Sequence, residues 1–351
     1  MIQMLSTMGA MCVPAIAGVE FGRVMGKSLA SEQGSPHVPV LLAEVLDALQ
    51  PLAGTRILDG TFGAGGYSRA LLEAGASVVA IDRDPSVAPH VARLQDEFPG
   101  TFQFVAGEFA VLDQLVSQPV DGVVLDIGVS SMQLDEADRG FSFMREGPLD
   151  MRMSGEGESA AALVNTLAEA DLANLLFAYG EERKSRRIAH SVVAARAAAP
   201  IATTTQLARL IEKAIGRKPG DSHPATRSFQ ALRIAVNAEF DQLVEGLFAS
   251  ERLLAEGGRL AVVTFHSLED RIAKRFFDPD KGGPAQSRHL PQGTTEAQRW
   301  TVAKAVKPSA AEIDRNPRAR SAILRAARRT AAPARPVSYA GLAVPTIRGA
   351  A

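Results

Sequence analysis

The sequence predicts a doubly wound α/β fold, a Rossmann-like parallel sheet with an all-helical segment inserted between two of its strands. Three observations carry this. Ile57 to Asp59 reads as a buried strand running into the glycine-rich turn Gly60-Thr61-Phe62-Gly63-Ala64-Gly65-Gly66-Tyr67-Ser68, then a helix and a second strand, Ser77 to Asp82. Val120 to Asp126 is almost continuously apolar, as a parallel strand covered on both faces should be. The next such strand, Arg259 to Phe265, follows only after a stretch far too long for one crossover, and that stretch is helical in pattern.

Taken in order, His37-Val38-Pro39-Val40 opens the ordered part, and Leu42, Val45, Leu46 and Leu49 recur at helical spacing until Pro51. The helix of the glycine turn spans about 68–74. Thr101 to Val105 is a third strand, ending at Gly107-Glu108-Phe109. Past Asp126, helices are expected over 170–179, 186–199 and 203–215. The last opens on a capping box of Thr203 with Gln206 and keeps Leu207, Leu210, Ile211, Ala214 and Ile215 on one face. One long helix, with Phe229, Leu232, Val236, Phe240, Leu243 and Leu247 as its stripe, leads into the fifth strand. Asp278 to Gly293 reads as a loop, and Trp300 to Val306 and Ser321 to Arg325 as two final antiparallel strands. The organisation is thus a loosely ordered extension (1–34), a sheet domain (35–135 and 226–330), a helical domain (136–225) and a loose Ala- and Pro-rich tail (331–351).

Composition narrows the function. Of 351 residues, 46% are hydrophobic and 22% charged, ordinary for a soluble globular chain. A net charge of -1 excludes a wholly basic nucleic-acid binder, so such a role must rest on local patches. The single cysteine, Cys12, excludes an internal disulfide and a cysteine-built metal site; the six histidines lack ligand-like spacing, and no metal is expected. The apolar run Met8 to Gly18 is too short to span a bilayer and lacks the preceding basic residues of a secretory signal. No membrane association and a cytoplasmic location are therefore expected.

Ligands of open α/β sheets bind beyond the carboxyl ends of the strands. Asp59, Asp82, Phe109, Asp126 and His266 all fall at such ends. Gly63, Gly65 and Gly66 would let a ligand approach the backbone, and Asp82 sits where a carboxylate grips a ribose. The dinucleotide fingerprint wants a third glycine where this chain has Ser68. Asp59, beside the turn, is awkward near a pyrophosphate and welcome near a sulfonium cation. S-adenosylmethionine is accordingly favoured over NAD. Asp126 could accept a hydrogen bond from an exocyclic amine and aim its lone pair at a methyl group. His266-Ser267-Leu268-Glu269-Asp270 offers a candidate catalytic histidine, although Ser267 with Asp270 also resembles a capping box. Arg183, Lys184, Arg186 and Arg187 form a basic cluster suited to a polyanion, and Thr226, Gln230, Arg233 and Asn237 share a helical face assigned to the cleft. Arg315, Arg318, Arg320, Arg325, Arg328 and Arg329 make a second basic region.

At these residues the chain resembles the bacterial 16S ribosomal RNA cytosine-N4 methyltransferases. The resemblance runs through His37 to Leu42, Asp59 to Ser68, Ala80 to Asp84, Leu125 to Ser131, Arg139 to Phe143, Gly147 to Met153 and Tyr179 to Arg183. It continues at His223 to Arg227, Thr264 to Arg271 and Asn316 to Ser321. It implies a class I methyltransferase fold acting on the N4 amine of a cytidine in the decoding centre, with the small ribosomal subunit as substrate. Carried across by motif, Gly65, Gly66, Tyr67, Asp82, Phe109, Asp126 and Gln133 would contact S-adenosylmethionine. Many relatives have histidine where this chain has Tyr67. RNA contacts are expected at Arg183, Arg187, Thr226, Arg227, Arg233 and Asn237, and a homodimer stays open. A non-catalytic ribosome-assembly factor and a nicotinamide-dependent oxidoreductase are the competing readings.

Overall fold

A computed structural model describes residues 39–217, 220–278 and 298–347. The expected extension over 1–34 and nearly all of the expected loop from Asp278 to Gly293 lie outside the described residues. The strands are β1 (Arg56–Asp59), β2 (Ser77–Asp82), β3 (Phe102–Ala106), β4 (Val120–Asp126), β5 (Leu254–Thr264), β6 (Trp300–Val302) and β7 (Ile323–Arg329). They form one seven-stranded sheet in the order β3-β2-β1-β4-β5-β7-β6. β1 to β5 run parallel, and β7 and β6 close the edge antiparallel. The fold is therefore the Rossmann-like, doubly wound one that the sequence predicts, and the order reverses between β1 and β4.

The reversal is built by side chains that alternate between two cores. Leu58, Val123 and Leu125 enter one hydrophobic cluster; Ile57, Val124 and Ala80 enter the other. Both faces being covered, β1 and β4 are apolar through their buried stretches, Ile57–Leu58 and Val123–Leu125, and each ends on an aspartate. Helix α1 (Leu42–Ala48) precedes β1, and α2 (Gly66–Glu73), α3 (Ala88–Glu97) and α4 (Leu112–Leu115) fill the crossovers of the first half.

Between β4 and β5 lie α5 (Ser131–Asp135), α6 (Ala160–Thr166), α7 (Glu169–Gly180), α8 (Ser185–Arg196), α9 (Thr204–Ile215), α10 (Thr226–Val236) and α11 (Glu239–Leu253). A third cluster, from Phe141 and Leu149 through Leu172, Ile188 and Leu207 to Phe229 and Leu232, gives this segment its own core. That core extends past the expected boundary at residue 225 into α10. After β5 come α12 (Ser267–Phe277) and α13 (Ala310–Arg315).

Two expectations change. The single helix before β5 is two helices, broken at Asn237 and Ala238, the latter at φ 48°. Asn237 causes the break: it accepts from the Met153 N–H at 2.9 Å and donates to the Met151 carbonyl at 2.7 Å. Consequently Phe229 and Leu232 face the helical cluster while Phe240, Leu243 and Leu247 face the sheet. Second, the tail is not loose over 331–347. Arg335 binds the fully buried Glu251 at 2.6 Å and lies 4.5 Å from the Phe276 ring centroid, and Leu342 is buried in the core. An alanine- and proline-rich composition concealed these anchors.

Candidate active site

The site is a cavity of about 600 Å³ at the carboxyl ends of β1, β2 and β4, a size suited to a nucleotide-like ligand. The glycine turn forms one wall. Gly65 stands at φ 79°, and a Cβ there would press to 2.6 Å from Leu94 and 2.8 Å from Phe62, so glycine is required by the turn itself. Gly65 does not line the cavity, whereas Gly63, Gly66 and Tyr67 do. The Tyr67 hydroxyl donates to the Val40 carbonyl, and burial raises its pKa well above the usual phenol range. The tyrosine thus offers the cavity ring surface and backbone.

Asp59 lies behind this wall. It is fully buried, accepts from the Ser68 hydroxyl at 2.7 Å and from the Thr61 N–H at 3.2 Å, and does not line the cavity. Ser68 therefore occupies the third-glycine position of a dinucleotide fingerprint with a structural bond of its own. Asp82 lines the cavity from the end of β2, accepting from the Gly63 N–H at 2.8 Å and the Asp84 N–H at 2.9 Å. Each of its oxygens keeps a second acceptor site for a ribose hydroxyl. Phe109 and Gln133 line the cavity too. Gln133 is anchored in the capping box of α5 with Ser130 and donates to Asp84 at 2.7 Å.

Asp126 is the singular group. Its N–H donates to the Thr61 hydroxyl at 2.7 Å, but its side-chain Oδ1 is buried without a hydrogen-bond partner. Burial first, then the Asp59 and Glu269 carboxylates, push its pKa up to about 8; burial chiefly lifts Asp59 to about 6. Two buried carboxyls next to an apolar cleft without a cation of their own suit a positively charged ligand. Phe62, Val87, Phe109, Ile127 and Phe265 supply apolar surface for an aromatic base.

His266 departs from expectation. It is itself the N-cap of α12, paired in a capping box with Glu269, where the sequence suggested Ser267 with Asp270. Its Nε2 lies 2.8 Å from Glu269 Oε1, its ring packs edge-on to Phe240, and it does not line the cavity. A contact with reacting atoms is therefore not built into this arrangement. Ser267 instead donates to Glu181 at 3.0 Å. Donor atoms of Glu239, His266 and Glu269 come within 4.8 Å of one another, a spacing that could hold a metal ion. Arg233 already meets both carboxylates there, at 2.8 Å for Glu239 and 3.9 Å for Glu269.

Of the residues expected to face RNA, Arg183 and Arg187 are exposed and Thr226 and Arg233 line the cavity. Arg227 is exposed and donates to the Glu181 carbonyl at 3.1 Å. Asn237 is a correction: 5% exposed and committed to Met151 and Met153, it shapes the helix break and cannot reach a ligand. Gln230 is likewise turned to the Tyr179 carbonyl. Sequence reasoning missed Asp84, Arg139, Met153, Asn316 and Ser321, while Arg318, read there as part of the second basic region, also lines the cavity. The pattern Ser130-Ser131-Met132-Gln133 could have exposed the α5 cap; the others depend on long-range pairing.

A parallel sheet of this order, with a glycine turn after β1, an acid closing β2 and an acid closing β4, is that of a class I, S-adenosylmethionine-dependent methyltransferase. The chain belongs to the MraW methylase family, whose model matches residues 34–330. It is 57% identical over 323 residues to the ribosomal RNA small subunit methyltransferase H of Cereibacter sphaeroides (strain KD131), covering 91% of this chain and 97% of that protein. It is 55% identical over 315 residues to the protein of the same name from Chelativorans sp. (strain BNC1), covering 89% and 93%. The orphaned Asp126 oxygen and the free acceptor sites of Asp82 fit S-adenosylmethionine on chemical grounds. Among the described residues no helix is long and apolar enough to cross a membrane.

Proposed function

We propose that this protein methylates the N4 amine of a cytidine in the decoding centre of 16S ribosomal RNA. The observation that carries the reading is the unpartnered, buried Oδ1 of Asp126 at the rim of the cofactor cavity. The names of the relatives support the RNA, and the resemblance of motifs supports the base.

S-adenosylmethionine, when bound, supplies a methyl group on a sulfonium, an electrophile that needs no metal. Asp82 would hold the ribose, with Phe109 and the glycine turn against the rest of the nucleoside. Asp126 accepts a hydrogen bond from the target amine. That bond orients the nitrogen lone pair, which ring conjugation otherwise makes a poor nucleophile. A neutral Asp126 would present a proton where an acceptor is needed, so the nearby cation matters twice: it completes the electrophile and favours the carboxylate. Once methylated, the nitrogen becomes acidic, and Asp126 is placed to hold the departing proton or pass it to water. The exposed Arg183 and Arg187 on the helical segment would grip the phosphate backbone.

The test is transfer of a labelled methyl group to small-subunit particles from cells lacking the gene, with the product nucleoside identified by mass spectrometry. Asp126→Ala should abolish transfer and leave cofactor binding measurable. Folded wild-type protein that binds cofactor and labels nothing would reject the reading.

A further inference from the structure

We propose that Arg233 selects the target base, donating from Nη1 to the ring nitrogen beside the exocyclic amine that Asp126 accepts. The inference rests on the methyl-transfer reading above and adds the group that distinguishes one base from another.

Arg233 sits in α10 and lines the same cavity as Asp126, Thr226 and Phe265. Its Nε and Nη2 donate to the two oxygens of Glu239, each at 2.8 Å. Glu269 Oε1 stands 3.9 Å from Nη2. Arginine has five N–H donors and no acceptor. The fork with Glu239 uses the edge formed by Nε and Nη2, so the nitrogen left for the cavity is Nη1. Glu239 is 6% exposed and Glu269 fully buried, which fixes the guanidinium before any ligand arrives and removes much of the entropy cost of recognition. Glu269 is also among the charges felt by Asp126, so the acceptor and the donor share one carboxylate as a neighbour.

An acceptor beside a donor is complementary to the edge of cytosine, where an amine donor adjoins a ring-nitrogen acceptor. Uracil presents the reverse, a carbonyl facing Asp126 and an N–H facing Arg233, and mispairs at both positions. Guanine fails for the same reason. Adenine carries the same order as cytosine, so this pair does not reject it on hydrogen bonding, and only the room in the cavity can. The arrangement thus implies exclusion of uracil and guanine by bonding.

The test compares methyl transfer to reconstituted small-subunit particles bearing cytidine or 3-deazacytidine at the target, the latter lacking the ring acceptor. Wild type should lose about 10- to 100-fold in kcat/KM on the deaza base. Arg233→Lys should lose a similar factor on cytidine and little more on the deaza base, with the Kd for S-adenosylmethionine changed less than threefold. Glu239→Gln, which keeps the guanidinium and loosens its anchor, should show the same pattern more weakly and guards against misfolding of the first variant. Equal wild-type rates on the two bases, or penalties that multiply in Arg233→Lys and Glu239→Gln, would overturn the assignment while leaving methyl transfer intact. Absence of transfer to either base by cofactor-binding wild type would instead overturn the underlying reading, and this assignment with it.

Discussion

Arg139 closes on Asp84 through two guanidinium bonds of 3.1 and 2.9 Å, and Asp84 is only 3% exposed. The pair ties the turn after α5 to the turn after β2, where Asp84 lines the cofactor cavity. Burial by itself would raise the Asp84 pKa; bonds from Arg139, Gln133 and Ser86 outweigh it and hold the carboxyl below its usual range. Arg139→Ala should therefore strand a buried charge, costing about 3 kcal/mol of stability. Adding Asp84→Asn should recover part of that loss. Urea denaturation of the single and double variants measures it, and a double variant no more stable than the single would refute the account.

Much of this architecture could be read from the sequence because it is governed by burial. Val120 to Asp126 announces β4 at its true limits, since the run Val123 to Leu125 is buried on both faces and calls for apolar residues. The acids ending β1, β2 and β4 are legible for the converse reason: a polar residue terminating an apolar run must find a rim. What stayed hidden depends on partners distant in sequence. Nothing local to Ala238 foretells its left-handed backbone, which Asn237 imposes by bonding to Met151 and Met153. Arg233 reads as a cleft cation, but its fork to Glu239 appears only once α10 and α11 are bent apart. His266 caps α12 because Glu269, not Asp270, turns back toward it.

The acid cluster makes a pH prediction. Asp126 is pushed up to about 8 and Asp59 to about 6, chiefly by burial. Carboxyls with raised folded-state pKa values bind protons more tightly in the native protein than in the unfolded chain. Their stabilisation is complete below the unfolded value near 4 and is lost as pH rises through about 6 and then 8. Ligand-free protein should accordingly melt lower at pH 8 than at pH 5, and Asp126→Asn should flatten that slope. Differential scanning calorimetry decides it; a wild-type melting temperature rising from pH 5 to 8 contradicts it.

Cofactor binding should titrate with the same groups. A sulfonium beside Asp126 favours the carboxylate, so S-adenosylmethionine should bind more tightly as pH rises from 6 to 8 and release a proton on binding near pH 7. S-adenosylhomocysteine, whose sulfur is neutral, should release fewer. Calorimetric titrations in buffers of different ionisation enthalpy count the protons, and identical counts for the two ligands would remove the electrostatic role assigned to Asp126.

On the helical segment, charge reversal at Arg183 and Arg187 should weaken RNA binding several-fold at low salt and progressively less as salt is raised, with cofactor affinity unchanged. Filter binding across a salt series tests this. Parallel loss of both affinities would mean that the two arginines hold the fold.

The tail predicts a stability effect far from the site. Arg335→Ala removes the cationic partner of Glu251, which is fully buried and keeps the Trp300 N–H at 3.2 Å, and the cation over Phe276 and Phe248. The expected cost is about 3 kcal/mol, read as a shift in denaturation midpoint. A variant within 0.5 kcal/mol of wild type, on the order expected for surface substitutions, would show that the tail merely rests on the sheet.

Pro39 and Ser321 line the same cavity, and the Leu41 N–H donates to Glu312 at 2.6 Å. Residues near both ends of the described fold thus meet around the cofactor. During translation the pocket cannot close until nearly the whole polypeptide has left the exit tunnel. A product terminated before Asn316 lacks the wall of that pocket formed by Asn316, Arg318 and Ser321.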